Sequence, residues 1–468
     1  MIFSSVQYVL FFVIVLMLMA ALPSDRLKKA ALLAGSYAFY AFWDYRFVVL
    51  LAGASAFNYY VGQNIERSSS DSTRTRWLRF GVVFDLLLLG VFKYFNFFID
   101  STNAVLRPLH ADLPFIHVVL PVGISFITFE VISYLVDIYR RESRSARSIW
   151  ELALLVAFFP HLIAGPILKP MQFLPEIEKK IEIRWTNIER GLQLFLLGLV
   201  KKVLISDHLA PFVERVFHNP GQFGSATIWL AVTAYAMQIF CDFSGYSDMA
   251  IGSARCIGFE IPPNFNLPYI SQNITEFWRR WHISLSTWLR EYLYYPLGGN
   301  RLGKARQYVN LLVVMLLGGL WHGAHWNFVV WGGIHGLGLA AHKMLLDRIG
   351  SHTGKPPNPL IRGLNWVTTF VFICVAWVFF RAGTFGTAFL MIRKMFAIGD
   401  TTGTNWYQTA TVLAIPCLIV GHVLGVRIGS RYQLRLNTFA GMLLVLFVLM
   451  GLLFLAPTSS SPFIYFQF

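Results

Sequence analysis

The chain alternates apolar runs with short basic segments. A helix that crosses a hydrocarbon core of about 30 Å needs about 20 mostly apolar residues. Runs of that kind, some short or interrupted by Gly and Pro, lie near 6–23, 30–43, 47–63, 80–98, 117–138, 149–165, 188–205, 224–241, 307–326, 328–347, 364–381, 408–425 and 437–457. The pattern predicts an all-α polytopic membrane protein of about 11–13 transmembrane helices. The first run has no basic segment before it and no small-residue cleavage site after it, so it reads as a retained span.

Lysine and arginine set the expected orientation, because cytoplasmic loops carry an excess of both. Clusters at Arg26/Lys28/Lys29, Arg67/Arg74/Arg76, Arg140–Arg147, Arg279–Arg306, Lys343–Arg362 and Arg427–Arg435 are expected inside, and the loops 99–116 and 206–223 outside. Parity then holds with the N-terminus outside and 149–166 re-entrant. That segment ends His161-Leu-Ile-Ala-Gly165-Pro166, and irregular backbone at membrane depth is tolerated only where protein or a cavity surrounds it. A plain spanning helix with a terminal Pro is the alternative.

Composition agrees. Of 468 residues, 56% are hydrophobic and 13% charged, against about 25% charged in soluble domains. This excludes a disordered chain, a disulfide scaffold and an ordinary cytosolic enzyme. The net charge of +15 is explained by the basic loops and calls for no nucleic acid. The four cysteines, Cys241, Cys256, Cys374 and Cys417, show neither disulfide nor metal spacing, and no metal site is expected. Without internal repeats, the chain reads as one membrane domain over 1–468.

Four stretches exceed what embedding requires. The region 264–306 is too polar to span and predicts a cytoplasmic interfacial element. Trp278, Trp281, Leu285, Trp288 and Tyr292 recur at helical spacing on one face, with Arg279, His282, Ser286 and Arg290 on another. Two readings follow: an interfacial brace with snorkelling arginines, or a wall of an inward cavity that meets a phosphate-bearing donor. Further on, His322, His325 and His335 fall within 14 residues among Trp and Gly. His322 sits about 24 Å along a helix counted from Arg306, well inside the membrane, where ionisable groups are by default functional. The alternative is a core histidine bonded to a carbonyl. Asp242 and Asp248 either bind a cation, orient a histidine or cap the next helix, and Glu130 lies mid-span in need of a partner.

The segments PVGISFITFEVISYLVDIYR (121–140), FPHLIAGP (159–166), QIFCDFSGYSDMAIG (238–252), WRRWHISLSTWLREYLYYPLGGNR (278–301) and GLWHGAHWNFVVWGGIHG (319–336) resemble the membrane-bound O-acyltransferase family. The likeness is to its bacterial branch serving alginate O-acetylation. The resemblance implies a helical bundle with re-entrant and interfacial helices around a central tunnel, its family core at about 117–345. It also implies transfer of an acyl group from a cytoplasmic thioester, acetyl-CoA foremost, to a hydroxyl. The family's WHG histidine maps onto His322, expected to deprotonate or polarise the hydroxyl; the second family position, Asn or His, maps onto His282, expected to position the donor or stabilise the oxyanion. Arg279, Arg280 and Arg290 would meet donor phosphates, Ser286 would share that site, and Trp321, Trp326 and Trp331 would line and dry the tunnel. Glu291 stands where relatives often carry Asp, and His325 stands where many have a small residue. No permanently bound cofactor is implied.

The resemblance implies an acetyltransferase of the bacterial inner membrane, acting on an exported polysaccharide through a periplasmic partner. D-alanyl transfer to teichoic acid is the near alternative. A transporter with a histidine proton relay is the alternative of another class, and the lack of repeats speaks weakly against it.

Overall fold

The computed structural model describes residues 1–110, 113–115, 118–163, 165–349, 358–397, 403–409, 412, 415–416, 419–422, 435–436, 438–457 and 462–464. Half of the expected span 408–425 lies outside these, as do Cys417 and the basic stretch 427–434. The described residues are helical; no strand occurs among them, only an isolated bridge between Phe223 and Thr404. They divide into two compact units, Met1–Phe195 with Ser247–Pro262, and Leu196–Tyr246 with Pro263–Phe468.

In the first unit α1 (Val6–Ala21), α2 (Asp25–Asp44) and α3 (Arg46–Arg67) follow the first three predicted spans, whereas α4 (Asp71–Leu89) and α5 (Phe95–Leu106) overrun the predicted 80–98 at both ends and α6 (Ile124–Arg140) starts seven residues after the predicted 117. Ser5 and Ser24 start α1 and α2 by accepting from the backbone N–H groups of Tyr8 and Leu27. α1 turns Val6, Leu10, Ile14 and Met17 outward and buries Tyr8, whose hydroxyl lies 2.7 Å from that of Ser253. Outward apolar and inward polar is the packing expected of a helix in lipid.

The segment 149–166 is neither one helix nor broken where its Gly-Pro pair stands. α7 (Ile149–Ala157) has nine residues, about 14 Å at 1.5 Å per residue, too short to cross a membrane. The break falls at Phe158, followed by the single turn α8 (Phe159–Leu162); beyond it Ile163 and residues 165–169 are buried and irregular. The plain spanning helix is thereby overturned. Backbone contact fixes the turn before α6 against this stretch: Gly123 has φ +78°, and a Cβ there would lie 2.7 Å from the Leu162 carbonyl oxygen. The stretch also supplies a neighbour for Glu130. His161 Nε2 lies 3.6 Å from its carboxylate and 2.9 Å from the Leu155 carbonyl. α9 (Pro170–Glu178) packs against α6 and α7.

α10 (Trp185–Leu199) leads into a π-helical turn, Val200–Ser206, and α11 (Asp207–His218). α12 runs Ser225–Cys256, fifteen residues beyond the predicted end at 241. Asp248 therefore sits within α12, and the N-cap of the next α-helix (Ile274–Arg280) is Asn273 instead.

In the second unit α13 (Ile274–Arg280) and α14 (Ile283–Trp288) precede the long hairpin of α15 (Lys304–His322) and α16 (Trp326–Ile349), then α17 (Pro359–Arg381) and α18 (Phe385–Phe396). Glycine makes the hairpin: a Cβ on Gly319 would lie 2.1 Å from the Phe328 carbonyl oxygen, and one on Gly332 2.1 Å from that of Met315. The two backbones touch, as small residues at membrane helix contacts allow.

Among the described residues Asp71–Leu109, Ser225–Cys256 and Pro359–Arg381 are long and apolar enough to cross a membrane, with Val6–Ala21 and Phe439–Leu455 as shorter apolar helices.

Candidate functional site

The interfacial region is two short helices, not the one amphipathic helix that its tryptophan spacing predicts. α13 opens on a capping box: Asn273 Oδ1 accepts from the Glu276 N–H at 2.8 Å, and Glu276 accepts from the Gln272 N–H at 2.9 Å. It stops at Trp281, because His282 takes the left-handed conformation with φ +41°, which non-glycine residues seldom adopt and which persists only where surroundings enforce it. The enforcing contact comes from Asn264, which is buried. Its carbonyl accepts from the Ile283 N–H at 2.9 Å, and its Oδ1 accepts from the N–H and hydroxyl of Ser284 at 3.2 and 2.7 Å. Asn264 thus caps α14 from outside the helix, and the kink turns the His282 ring inward.

That ring is wholly buried. It meets Phe243 edge-on at 4.6 Å between centroids, Trp321 at 5.9 Å and His322 at 6.3 Å. Burial pushes the His282 imidazole down to about 3, so it is neutral at physiological pH. His322, the last residue of α15, is 3% exposed and is boxed by Trp321 at 5.0 Å, Trp331 at 5.0 Å and Phe380 at 5.3 Å. The glycine contact between α15 and α16 brings Trp331 to it. A third imidazole, His335, lies on the far side of Trp331, 4.7 Å from that ring. Trp278 Nε1–H donates to its Nδ1 at 3.3 Å, which places the His335 proton on Nε2. The structure therefore brings His282 and His322 into one dry aromatic enclosure, with His335 behind its wall.

The other expected site residues divide. Trp321 and Trp331 are buried beside His322, whereas Trp326 is 50% exposed. His325 is exposed too; its Nδ1 accepts from the Asn327 N–H at 3.2 Å at the start of α16. It does not share the burial of His322. Arg279 and Arg290 are exposed, Arg290 3.5 Å from Glu291. Arg280 is held by Glu276 at 2.9 Å and by the Asn266 carbonyl at 3.1 Å. The Ser286 hydroxyl donates to the Trp281 carbonyl at 3.1 Å, so it braces the kink.

A buried ionic group, unforeseen in the sequence, lies nearby in the same unit. Lys202 Nζ sits 2.8 Å from both Asp207 and Asp242, all three fully buried. The cation that Asp242 meets is a side chain. The other Asp242 oxygen accepts from the Ile464 N–H at 2.8 Å. Of these three residues only Asp242 carried a signal in the sequence.

Residues 139–382, more than half of the chain, match the model of the membrane-bound O-acyltransferase family. The chain is 43% identical over 436 residues to a probable alginate O-acetylase of Azotobacter vinelandii, covering 92% of this chain and 85% of that protein. It is 39% identical to a Pseudomonas putida protein of the same description over the whole of both chains. It is also 39% identical to the peptidoglycan O-acetyltransferase of Helicobacter pylori, over 80% of this chain and 75% of that one. The chain belongs to the membrane-bound O-acyltransferase family: it is an all-α, multi-pass membrane protein and an O-acyltransferase.

Proposed function

We propose that the protein is an inner-membrane acetyltransferase that moves acetyl from cytoplasmic acetyl-CoA to a hydroxyl serving O-acetylation of an exported, alginate-like polysaccharide, with a periplasmic partner. The observation that carries the reading is the pair of buried imidazoles, His282 and His322, 6.3 Å apart within the family region. Relatives named for alginate and for peptidoglycan acetylation both support acetyl as the group. They leave the polymer to the alginate reading on the strength of the longer match.

In this mechanism His322 accepts the hydroxyl proton as the oxygen attacks the thioester carbonyl. His282, neutral, donates a hydrogen bond to the oxyanion that forms there. The C–S bond then breaks, and the proton on His322 passes to the leaving thiolate. Trp321, Trp331 and Phe380 keep water from the thioester, so that acyl transfer outruns hydrolysis. Exposed Arg279 and Arg290 meet the donor's phosphates from the cytoplasm. Arg280, Ser286 and Trp326 stay in the proposal as the rim of the donor site, Arg280 after exchanging Glu276 for phosphate. The central tunnel and a site open to both sides belong to the same proposal.

The test is acetyl transfer from labelled acetyl-CoA by protein in nanodiscs, with and without a periplasmic acceptor protein. Wild type should turn over; His322→Ala should insert normally and lose transfer, by at least the roughly 10²-fold that removal of a positioned general base costs. Retained transfer in His322→Ala removes the proposed base.

A further inference from the structure

The first unit has a groove that neither catalysis nor helix packing employs. It is a cavity of about 890 Å³ between α2, the start of α7 and the end of α9. On α2 the lining residues are 26, 29, 30, 33, 34 and 37, a spacing that forms one continuous stripe along a helix. The stripe is graded. Arg26 and Lys29 stand at one end; Ala30, Leu33 and Ala34 follow, and Tyr37 closes it about 16 Å from Arg26 at helical rise. Across the groove Leu154 and Ile177 continue the apolar wall, and Trp150, 69% exposed, stands at the rim.

The charges at the basic end are unspent. Among the described residues neither Arg26 nor Lys29 takes part in an ion pair or hydrogen bond, although neighbouring Lys28 reaches the Ile181 carbonyl and Asp25 accepts from the Ile181 N–H. The acid in the groove is otherwise engaged. Glu151 completes the cap of α7, accepting from the Arg147 N–H at 2.7 Å while Ser148 accepts from the Glu151 N–H. The two free cations thus face no competing carboxylate that lacks a role of its own. By the excess of basic residues on cytoplasmic loops, this end lies at the inner leaflet, where anionic lipids are found and each nearby Lys or Arg adds to their attraction.

We propose that this groove is a binding site for one anionic phospholipid of the inner leaflet. Its phosphate sits between Arg26 and Lys29, an acyl chain lies along Ala30, Leu33, Ala34 and Leu154, and Trp150 rests at the glycerol level. A zwitterionic lipid has the same chains but brings its own cation to Arg26 and Lys29, so the site discriminates by headgroup.

Native mass spectrometry of the full-length protein, with phosphatidylglycerol and phosphatidylcholine of identical chains, tests this. Phosphatidylglycerol should be retained at least tenfold over phosphatidylcholine, and Arg26→Gln/Lys29→Gln should remove that preference while thermal stability in phosphatidylcholine stays unchanged. A photoactivatable phosphatidylglycerol should label residues 148–154 in wild type and lose that label in the double variant. Equal retention of the two lipids, or a preference that survives in the double variant, overturns the proposal. Inorganic phosphate should not displace the lipid; if it does, the site is one for free phosphate and the proposal fails.

Discussion

Replacing Gly332 with Ala adds one methyl group where backbone atoms already stand. The new Cβ would lie 2.1 Å from the Met315 carbonyl oxygen, whereas ordinary contact begins at 3.4 Å. The axes of α15 and α16 must therefore part by about 1.3 Å, the difference of those two distances, since no side chain can swing away. Overpacking of this kind costs about 1–3 kcal/mol. The larger consequence is catalytic: α15 carries His322 and α16 carries Trp331, which touch at 5.0 Å between centroids. A displacement of about 1 Å at a reacting centre costs on the order of 10²-fold in rate. The neighbouring residue supplies the control. A Cβ on Gly333 meets only the Leu316 Cδ2 at 3.4 Å, and Gly→Ala inside a helix favours the helix by up to about 1 kcal/mol. Transfer of labelled acetyl in nanodiscs, with thermal unfolding in detergent, should show Gly332→Ala slower by roughly two orders of magnitude and less stable, and Gly333→Ala near wild type. Equal behaviour of the two variants would refute the claim that backbone contact in the hairpin sets the His322 enclosure.

Further outcomes follow from the same geometry. His282→Ala should lower transfer by roughly 10²- to 10³-fold, the range for one oxyanion donor, while His282→Asn, which tolerates a left-handed backbone and keeps a donor, should recover most of it; equal loss in both variants would reject the hydrogen-bond role. His325→Ala should change acetyl transfer by less than about twofold, since the ring is exposed and its single bond caps a helix, a contact of about 1 kcal/mol. Lys202→Met should lower stability by about 3–5 kcal/mol, because Asp207 and Asp242 would be left buried without their cation. Lys202→Met/Asp242→Asn should be milder than Lys202→Met alone in a thermal unfolding series.

Much of this molecule is legible from local pattern. The first three spans coincide with α1 to α3 to within five residues at either end, because length and hydropathy mark such helices; the bounds of α4 to α6 depart further. What local pattern misses is set by distant partners. The Trp278-to-Tyr292 spacing predicts one helix; a single left-handed residue barely disturbs the recurrence of tryptophans, and the cause of the kink is Asn264, 18 residues upstream of His282. The Gly165–Pro166 pair marks irregular backbone but not its start at Phe158, which belongs instead to Pro160, the proline in the first turn of α8. His322 is evident from its motif, and the structure separates it from His325 by burial. Nothing in the chain near Lys202 announces that it joins Asp242, because their pairing depends on how α12 and the π-helical turn meet.

The bond from Ile464 to Asp242 spans 222 residues, and it has a meaning for biogenesis. Asp242 enters the bilayer with α12, before the second half of the protein has been made. Ile464 lies downstream of every described helix, so the carboxylate must wait, without its backbone donor, through the insertion of α15, α16, α17 and Phe439–Leu455. The final fastening of this unit is thus a late event in synthesis. A nascent chain stalled before residue 464 would hold His282 and His322 in a bundle whose central ionic group is still unfinished.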